Sequence, residues 1–238
     1  QIESYNYFMN FVVYKTNTLK AAKNRIEELL KAVSRSDIDS PHIVIVQDRA
    51  SLAAERSMLA AVGGSFNIQV FTFNRYAGLI APETLKPLSG QMAVLEMMKV
   101  IEQNADRLVC FSGAGNTEGF ARKIYDVISL LKYNRISPEK LLCACDDKAL
   151  SLKLKDIALV YSAFQASVEN RYLDSADKLE TLLNAVGSSE QVKKSVYYIY
   201  DFDGLSVQEE AIVESLVRYS RGVYACLLYT SDAADELI

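Results

Sequence analysis

The sequence predicts an α/β fold in which a mainly parallel sheet is interrupted by a large all-helical insertion. Two observations carry that expectation. Short β-branched and aromatic runs alternate with helical stretches at both ends of the chain, and roughly a hundred residues between them show helical periodicity alone. The composition suits such a fold: 238 residues, 50% hydrophobic and 24% charged, with a mean hydropathy of +0.04.

Element by element, Phe11-Val12-Val13-Tyr14 reads as a short strand, followed by a helix from about Leu19 to Val33 and a polar turn from Ser34 to Pro41. His42-Ile43-Val44-Ile45-Val46 is continuously apolar after its first residue, the mark of a strand buried on both faces of a parallel sheet. Leu52 to Val62 reads as a helix closed by Gly63-Gly64. Ile68 to Phe73 reads as a third strand that leads into a helix beginning near Arg75. After Pro82 and Pro87, helices are expected near 91–103, 118–133, 150–168 and 175–186. Val196 to Tyr200 returns to strand, Ser206 to Tyr219 to helix, and Val223-Tyr224-Ala225 to strand. The expected organisation is therefore a first sheet segment over 9–85, a helical insertion over 86–192 and a return to the sheet over 193–225. Met9 opens the clean strand pattern, so residues 1–8 are read as upstream translation. Residues 226–238 are similar to one reading frame of a transposon-end adapter used in DNA sequencing libraries, and are read as an artefact.

Charge and side-chain inventory exclude several chemistries. A net charge of −4 excludes a wholesale basic coat for DNA but allows a local basic groove. Cys143 and Cys145 form a C-x-C pair, yet His42 is the single histidine and lies far from them, so no zinc site is expected and the cysteines read as free thiols. One histidine also leaves little room for a Ser-His-Asp or Cys-His nucleophile; His42 reads as a strand-edge residue. No apolar run approaches the ~20 residues of a membrane helix, and no leader pattern opens the chain, so a soluble cytoplasmic protein without membrane partners is expected.

One loop is tempting. Leu108-Val109-Cys110-Phe111 followed by Ser112 to Glu118 looks like a flavodoxin phosphate loop, in which hydroxyls, a glycine-freed backbone and a helix start cradle FMN. Flavodoxins carry that loop after their first strand, whereas here three strands precede it. A capped helix start is the simpler reading.

The motif that organises the whole chain begins at Val44-Ile45-Val46-Gln47-Asp48-Arg49-Ala50-Ser51 and continues through Gly63-Gly64-Ser65-Phe66 and Gln69-Val70-Phe71-Thr72-Phe73-Asn74-Arg75. It goes on through Gly119-Phe120 to Tyr133, Ile136 to Leu141, Lys153 to Ile157, Tyr172 to Asp177 and Ile199 to Glu209. In order and spacing these stretches resemble the AddB/RexB family, the B subunits of bacterial ATP-dependent helicase–nucleases that process double-strand breaks for recombination. The resemblance implies a P-loop NTPase-like, RecA-like sheet of the UvrD helicase type, with a heterodimeric A subunit and single-stranded DNA as partners. The alternative is an interaction scaffold whose helical insertion binds the A subunit without DNA contact. The resemblance places the family's nuclease domain, magnesium and iron–sulfur cluster in a far C-terminal part whose motifs are not in this chain, so no cofactor is expected here.

The same resemblance implies which residues act. Thr72-Phe73-Asn74-Arg75 looks like helicase motif Ia, a turn that grips single-stranded DNA, and the implied DNA contacts are Asp48, Arg49, Ser51, Phe73, Asn74 and Arg75. Their chemistry suits such contacts, with Arg49 and Arg75 for phosphates or base edges, Phe73 for stacking, and Asp48 and Ser51 for hydrogen bonds. Arg49 stands where many relatives carry an amide and Gly78 where some carry an aromatic, so hotspot specificity does not transfer. The stretch matching a Walker A loop, Tyr14 to Ala21, keeps Lys20 but has Tyr14, Asn17 and Leu19 for the glycines and Ala21 for the hydroxyl. By the same resemblance the Walker B-like aspartate falls at Tyr200 ungapped, or at Asp201 with a one-residue shift. Lys20 and Asp201 thus read as vestiges of a degenerate nucleotide site, and no catalytic residue is expected.

Overall fold

Apolar residues throughout Ile43–Ile45 leave that segment no polar face, and it forms an interior strand covered on both sides. The computed structural model describes residues 3–8, 10–37, 39–81, 85–113, 117–143 and 148–228, and falls into two units. Met9, Pro82, Cys145 and the tail from Tyr229 onward lie outside the described residues, as does the middle of the 112–118 loop.

The first unit begins with β1 (Glu3–Phe8), β2 (Phe11–Thr16), α1 (Leu19–Ser36), β3 (His42–Ile45), α2 (Ser51–Val62), β4 (Ile68–Phe71) and α3 (Phe73–Ile80). The second holds β5 (Lys86–Pro87), α4 (Gly90–Gln103), α5 (Glu118–Tyr133), α6 (Pro138–Leu142), α7 (Lys148–Val168) and β6 (Tyr172–Leu173). The chain then returns through α8 (Ser175–Val186) and α9 (Glu190–Lys194) to β7 (Val196–Ile199), α10 (Val207–Tyr219) and β8 (Gly222–Leu228).

The six-stranded sheet has the order β1-β2-β8-β7-β3-β4. All its pairings are parallel except β1 with β2. On one face, Tyr14, Val44, Val46, Tyr198 and Tyr200 pack against Ala22, Ile26 and Leu30 of α1 and Ala54 and Met58 of α2. Alternate strand residues point the other way, and there Tyr197 meets Tyr76 of α3 edge to face, the two hydroxyls hydrogen-bonded to each other.

Helix starts follow their caps. Thr18, Thr72, Ser89, Thr117, Ser137 and Ser189 each accept the backbone N–H three residues on. α2 ends at Gly63, whose φ of 76° suits glycine. The third strand is shorter than its sequence implies. It stops at Phe71, because Thr72 caps α3 and Phe73 is already helical. β8 runs past Ala225, with Cys226, Leu227 and Leu228 paired to Tyr14, Lys15 and Thr16. The segment read as upstream translation forms β1, an antiparallel edge. α6 and α9, five residues each, are too short to leave a periodic signal. Among the described residues no helix is long and apolar enough to cross a membrane, and no group of three His, Cys, Asp or Glu could hold a metal ion.

His42 is the first residue of β3, as its place at the head of the apolar run implies, and there the ring is 1% exposed, because β3 lies between β7 and β4. Its Nε2–H donates to the Asp37 carbonyl at 3.3 Å, so Nδ1 accepts the Tyr198 hydroxyl at 3.1 Å. Burial holds the imidazole below its ordinary 6.5, outweighing the pull of Asp37 in the other direction. The unfolded chain therefore binds a proton first, and stability is lost as pH falls from 6.5 through the folded value. The melting temperature of the chain is expected to drop on acidification over that window, and His42→Gln to flatten the drop. An unchanged pH profile in the variant would contradict the assignment.

In the second unit, Ala93, Met97, Val100 and Ile101 of α4, Ala121, Ile124 and Ile128 of α5, and Val160, Phe164 and Val168 of α7 form one core. Two buried polar knots cross it. Lys132 of α5 reaches Asp174 at 2.5 Å and Asp177 at 2.7 Å. Asp156 of α7, 2% exposed, accepts the backbone N–H groups of Val109, Cys110 and Phe111 at 2.7–3.1 Å.

Candidate nucleic-acid interface

The strand order decides where a ligand can sit. The chain leaves β3 toward β4 but leaves β7 toward β8, so the neighbours β3 and β7 diverge in opposite directions at their carboxyl ends. Such a switch point opens a crevice in an open parallel sheet. A cavity of about 230 Å³ lies there. It is lined by Val46, Gln47 and Asp48 after β3, by Thr72, Phe73 and Asn74 after β4, by Phe202 and Gly204 after β7, and by Glu209 on the first turn of α10.

Asp48 and Arg49 lie on a short 3-10 turn, Asp48–Ala50, that joins β3 to α2, and Ser51 opens that helix. Arg49 crosses to the loop after β7, with Nη2 at 2.6 Å from Asp203 Oδ2. Arg75 stands on the first turn of α3; its Nη1 donates to Ser51 Oγ at 3.0 Å and to Glu55 Oε1 at 2.8 Å, and its guanidinium lies 5.8 Å from the Phe71 ring centre. Both arginines are more than half exposed. Asn74 points a buried Oδ1 that has no hydrogen-bond partner, on a residue that lines the cavity. Phe73 is 4% exposed and packs against Phe202 with ring centres 5.6 Å apart, so its ring forms a wall rather than a platform open to a base.

The six residues named from the sequence thus share one end of the sheet. The fold adds four acidic or aromatic neighbours: Glu55, Phe202, Asp203 and Glu209. Glu55 and Arg75 stand 20 positions apart on different helices, and Arg49 and Asp203 154 apart, so no local pattern could pair them.

Lys20 and Asp201 follow strands that are not neighbours in the sheet, β2 and β7. β2 runs through Thr16 and α1 begins at Leu19, leaving Asn17 and Thr18 as the whole connection. A phosphate-encircling loop needs several residues more, with glycines for close backbone approach. Lys20 lies exposed in the first turn of α1. Asp201 follows β7, two strands from β2 and thus roughly 10 Å across the sheet. It adopts φ 66°, and burial raises its carboxyl pKa, the Arg49 charge opposing and Asp203 adding.

The flavodoxin-like loop has no strand before it. Leu108 to Phe111 is irregular, with a bend over 109–111, and the backbone N–H groups of 109–111 are taken by the Asp156 carboxylate.

Comparison with known proteins bears on the whole chain. The family described as ADDB, N-terminal matches residues 20–237. The B subunit of an ATP-dependent helicase/deoxyribonuclease from Clostridium botulinum (strain Langeland) is 30% identical over 208 residues, which cover 84% of this chain and 17% of that protein. The protein of that name from Geobacillus kaustophilus is 28% identical over 235 residues, 89% of this chain and 20% of its own length. That from Ruminiclostridium cellulolyticum is 27% identical over 82% of this chain and 18% of its length. The chain therefore spans no more than a fifth of the length of these relatives.

Proposed function

The chain belongs to the AddB family by that family's N-terminal region, and from this premise we propose that it is a helicase-like scaffold that guides single-stranded DNA without hydrolysing ATP. The relatives are named as B subunits of an ATP-dependent helicase/deoxyribonuclease. By extension this chain works together with an A subunit, in the processing of double-strand breaks for recombinational repair. The first unit is then a P-loop NTPase-like, RecA-like domain with a degenerate nucleotide site, and residues 86–192 are its helical insertion. The strand runs over the carboxyl ends of β3, β4 and β7, where it is scanned for a recombination hotspot.

The observation that carries this reading is the convergence of Arg49, Ser51 and Arg75 with Asp48, Phe73 and Asn74 beside the switch-point cavity. Two guanidinium groups supply phosphate contacts. The unpartnered Asn74 oxygen and the Asp48 carboxylate supply acceptors for base edges. Phe73 contributes the apolar wall.

Arg75→Ala is expected to weaken binding of a single-stranded oligonucleotide and to lower the salt slope by about one phosphate contact. Titration by fluorescence anisotropy over a salt series reads both. Equal affinity and equal slope in the variant would count against the reading. The chain is also expected to release no phosphate from ATP, with or without DNA, since the two-residue β2–α1 connection cannot surround a triphosphate. DNA-stimulated turnover by the chain alone would overturn that half of the proposal.

A further inference from the structure

We propose that Glu55 and Asp203 are part of the same site, as carboxylates that occupy Arg75 and Arg49 until the phosphates of one strand displace them. The inference rests on the strand-guiding reading above. Each ion pair ties two elements together at the carboxyl end of the sheet: Arg49 on the turn after β3 with Asp203 after β7, and Arg75 on α3 with Glu55 on α2. None of the four lines the cavity itself, and three of them adjoin its lining along the chain, next to Asp48, Asn74 and Gly204.

Side-chain exposures of 62% and 64% for Arg49 and Asp203, and 54% and 41% for Arg75 and Glu55, make both pairs surface pairs. Pairs this exposed contribute little to stability, so holding the fold together does not account for them. A carboxylate offers a guanidinium the same pair of acceptor oxygens that a phosphate does. In the free chain each arginine is thus held in a binding-competent pose against a tethered stand-in.

Tethering sets the selectivity. An isolated anion must compete with a carboxylate of high effective concentration at each arginine separately. A single strand that displaces one carboxylate brings a second phosphate to the other arginine, so its two displacements reinforce each other. Glu55 and Asp203 therefore favour a polyanion over single phosphates, at some expense in overall affinity.

The test compares wild type, Glu55→Gln, Asp203→Asn and the double variant, using a fluorescent oligothymidylate and inorganic phosphate as competitor. Asp39→Asn, at the opposite end of β3, controls for net charge. Each site variant is expected to tighten oligonucleotide binding about 2- to 5-fold at low ionic strength. The double variant should tighten it further and become more sensitive to inorganic phosphate, while Asp39→Asn leaves both readouts unchanged. In an Arg75→Ala background, Glu55→Gln should lose most of its effect. If wild type binds and the site variants bind equally or more weakly, or if Asp39→Asn gains as much as they do, the inference is wrong. If neither wild type nor any variant binds DNA, the strand-guiding reading itself fails and takes this inference with it.

Discussion

Lys132→Met is expected to destabilise the helical unit by about 3–5 kcal/mol, the range for removing one partner of a buried ion pair. The Lys132 side chain is 8% exposed and that of Asp174 is 5% exposed. Burial alone would lower the lysine pKa, but the charges of Asp174 and Asp177 outweigh it and raise the value above 10.5. The pairing contributes stability that is fully present below pH 10.5 and is lost as pH rises through the folded value. Asp174 has a second duty, because its Oδ1 caps α8 by accepting the Asp177 N–H at 2.8 Å. Methionine keeps the length of the stem but strands a buried carboxylate that cannot turn away without uncapping the helix. Asp177 differs: its side chain is 40% exposed, and burial together with the Asp174 charge lifts its pKa. Asp177→Asn should therefore be tolerated within about 1 kcal/mol. Urea unfolding of the variants separates the cases, and a Lys132→Met midpoint equal to that of wild type would refute the account of the cluster.

Asp156→Ala is the second large effect, expected at about 2–4 kcal/mol. One carboxylate satisfies three consecutive backbone donors, and alanine leaves all three without an acceptor in a partly buried turn. Phe111, the last of the three donors, packs edge to face on Phe120 with ring centres 5.4 Å apart. Losing the anchor should therefore also loosen the start of α5. Asp156→Asn keeps one acceptor oxygen and is expected to fall between alanine and wild type. Hydrogen exchange at residues 109–111 should rise sharply in the alanine variant. Unchanged protection there would show that the carboxylate does not hold the turn.

Both knots join stretches that in the sequence are linked only by resemblance. Lys132 and Asp174 stand 42 positions apart, Asp156 and Val109 47 apart, and nothing local connects them. Local signals, by contrast, are legible. Helices at 118–133 and 175–186 have the expected ends because hydroxyl or carboxylate caps precede amphipathic runs. The strand before Arg75 looks two residues too long in the sequence because Phe71 and Phe73 continue a strand-like alternation. The Thr72 hydroxyl, an N-cap signal in plain view, ends it. For the candidate site, residue types and chain position are readable, while the carboxylates facing the arginines require the strand order β7-β3-β4. The residues that stand in place of the phosphate-loop glycines are readable in the sequence. That the loop is only two residues long emerges from where β2 ends and α1 begins.

Hydrogen–deuterium exchange of the chain with and without a saturating single-stranded oligonucleotide tests the central claim most directly. Protection is expected at 46–51, 72–76 and 200–204, the three segments at the carboxyl ends of β3, β4 and β7. Protection confined to α4–α7, or none at a concentration where the oligonucleotide is demonstrably bound, would contradict it.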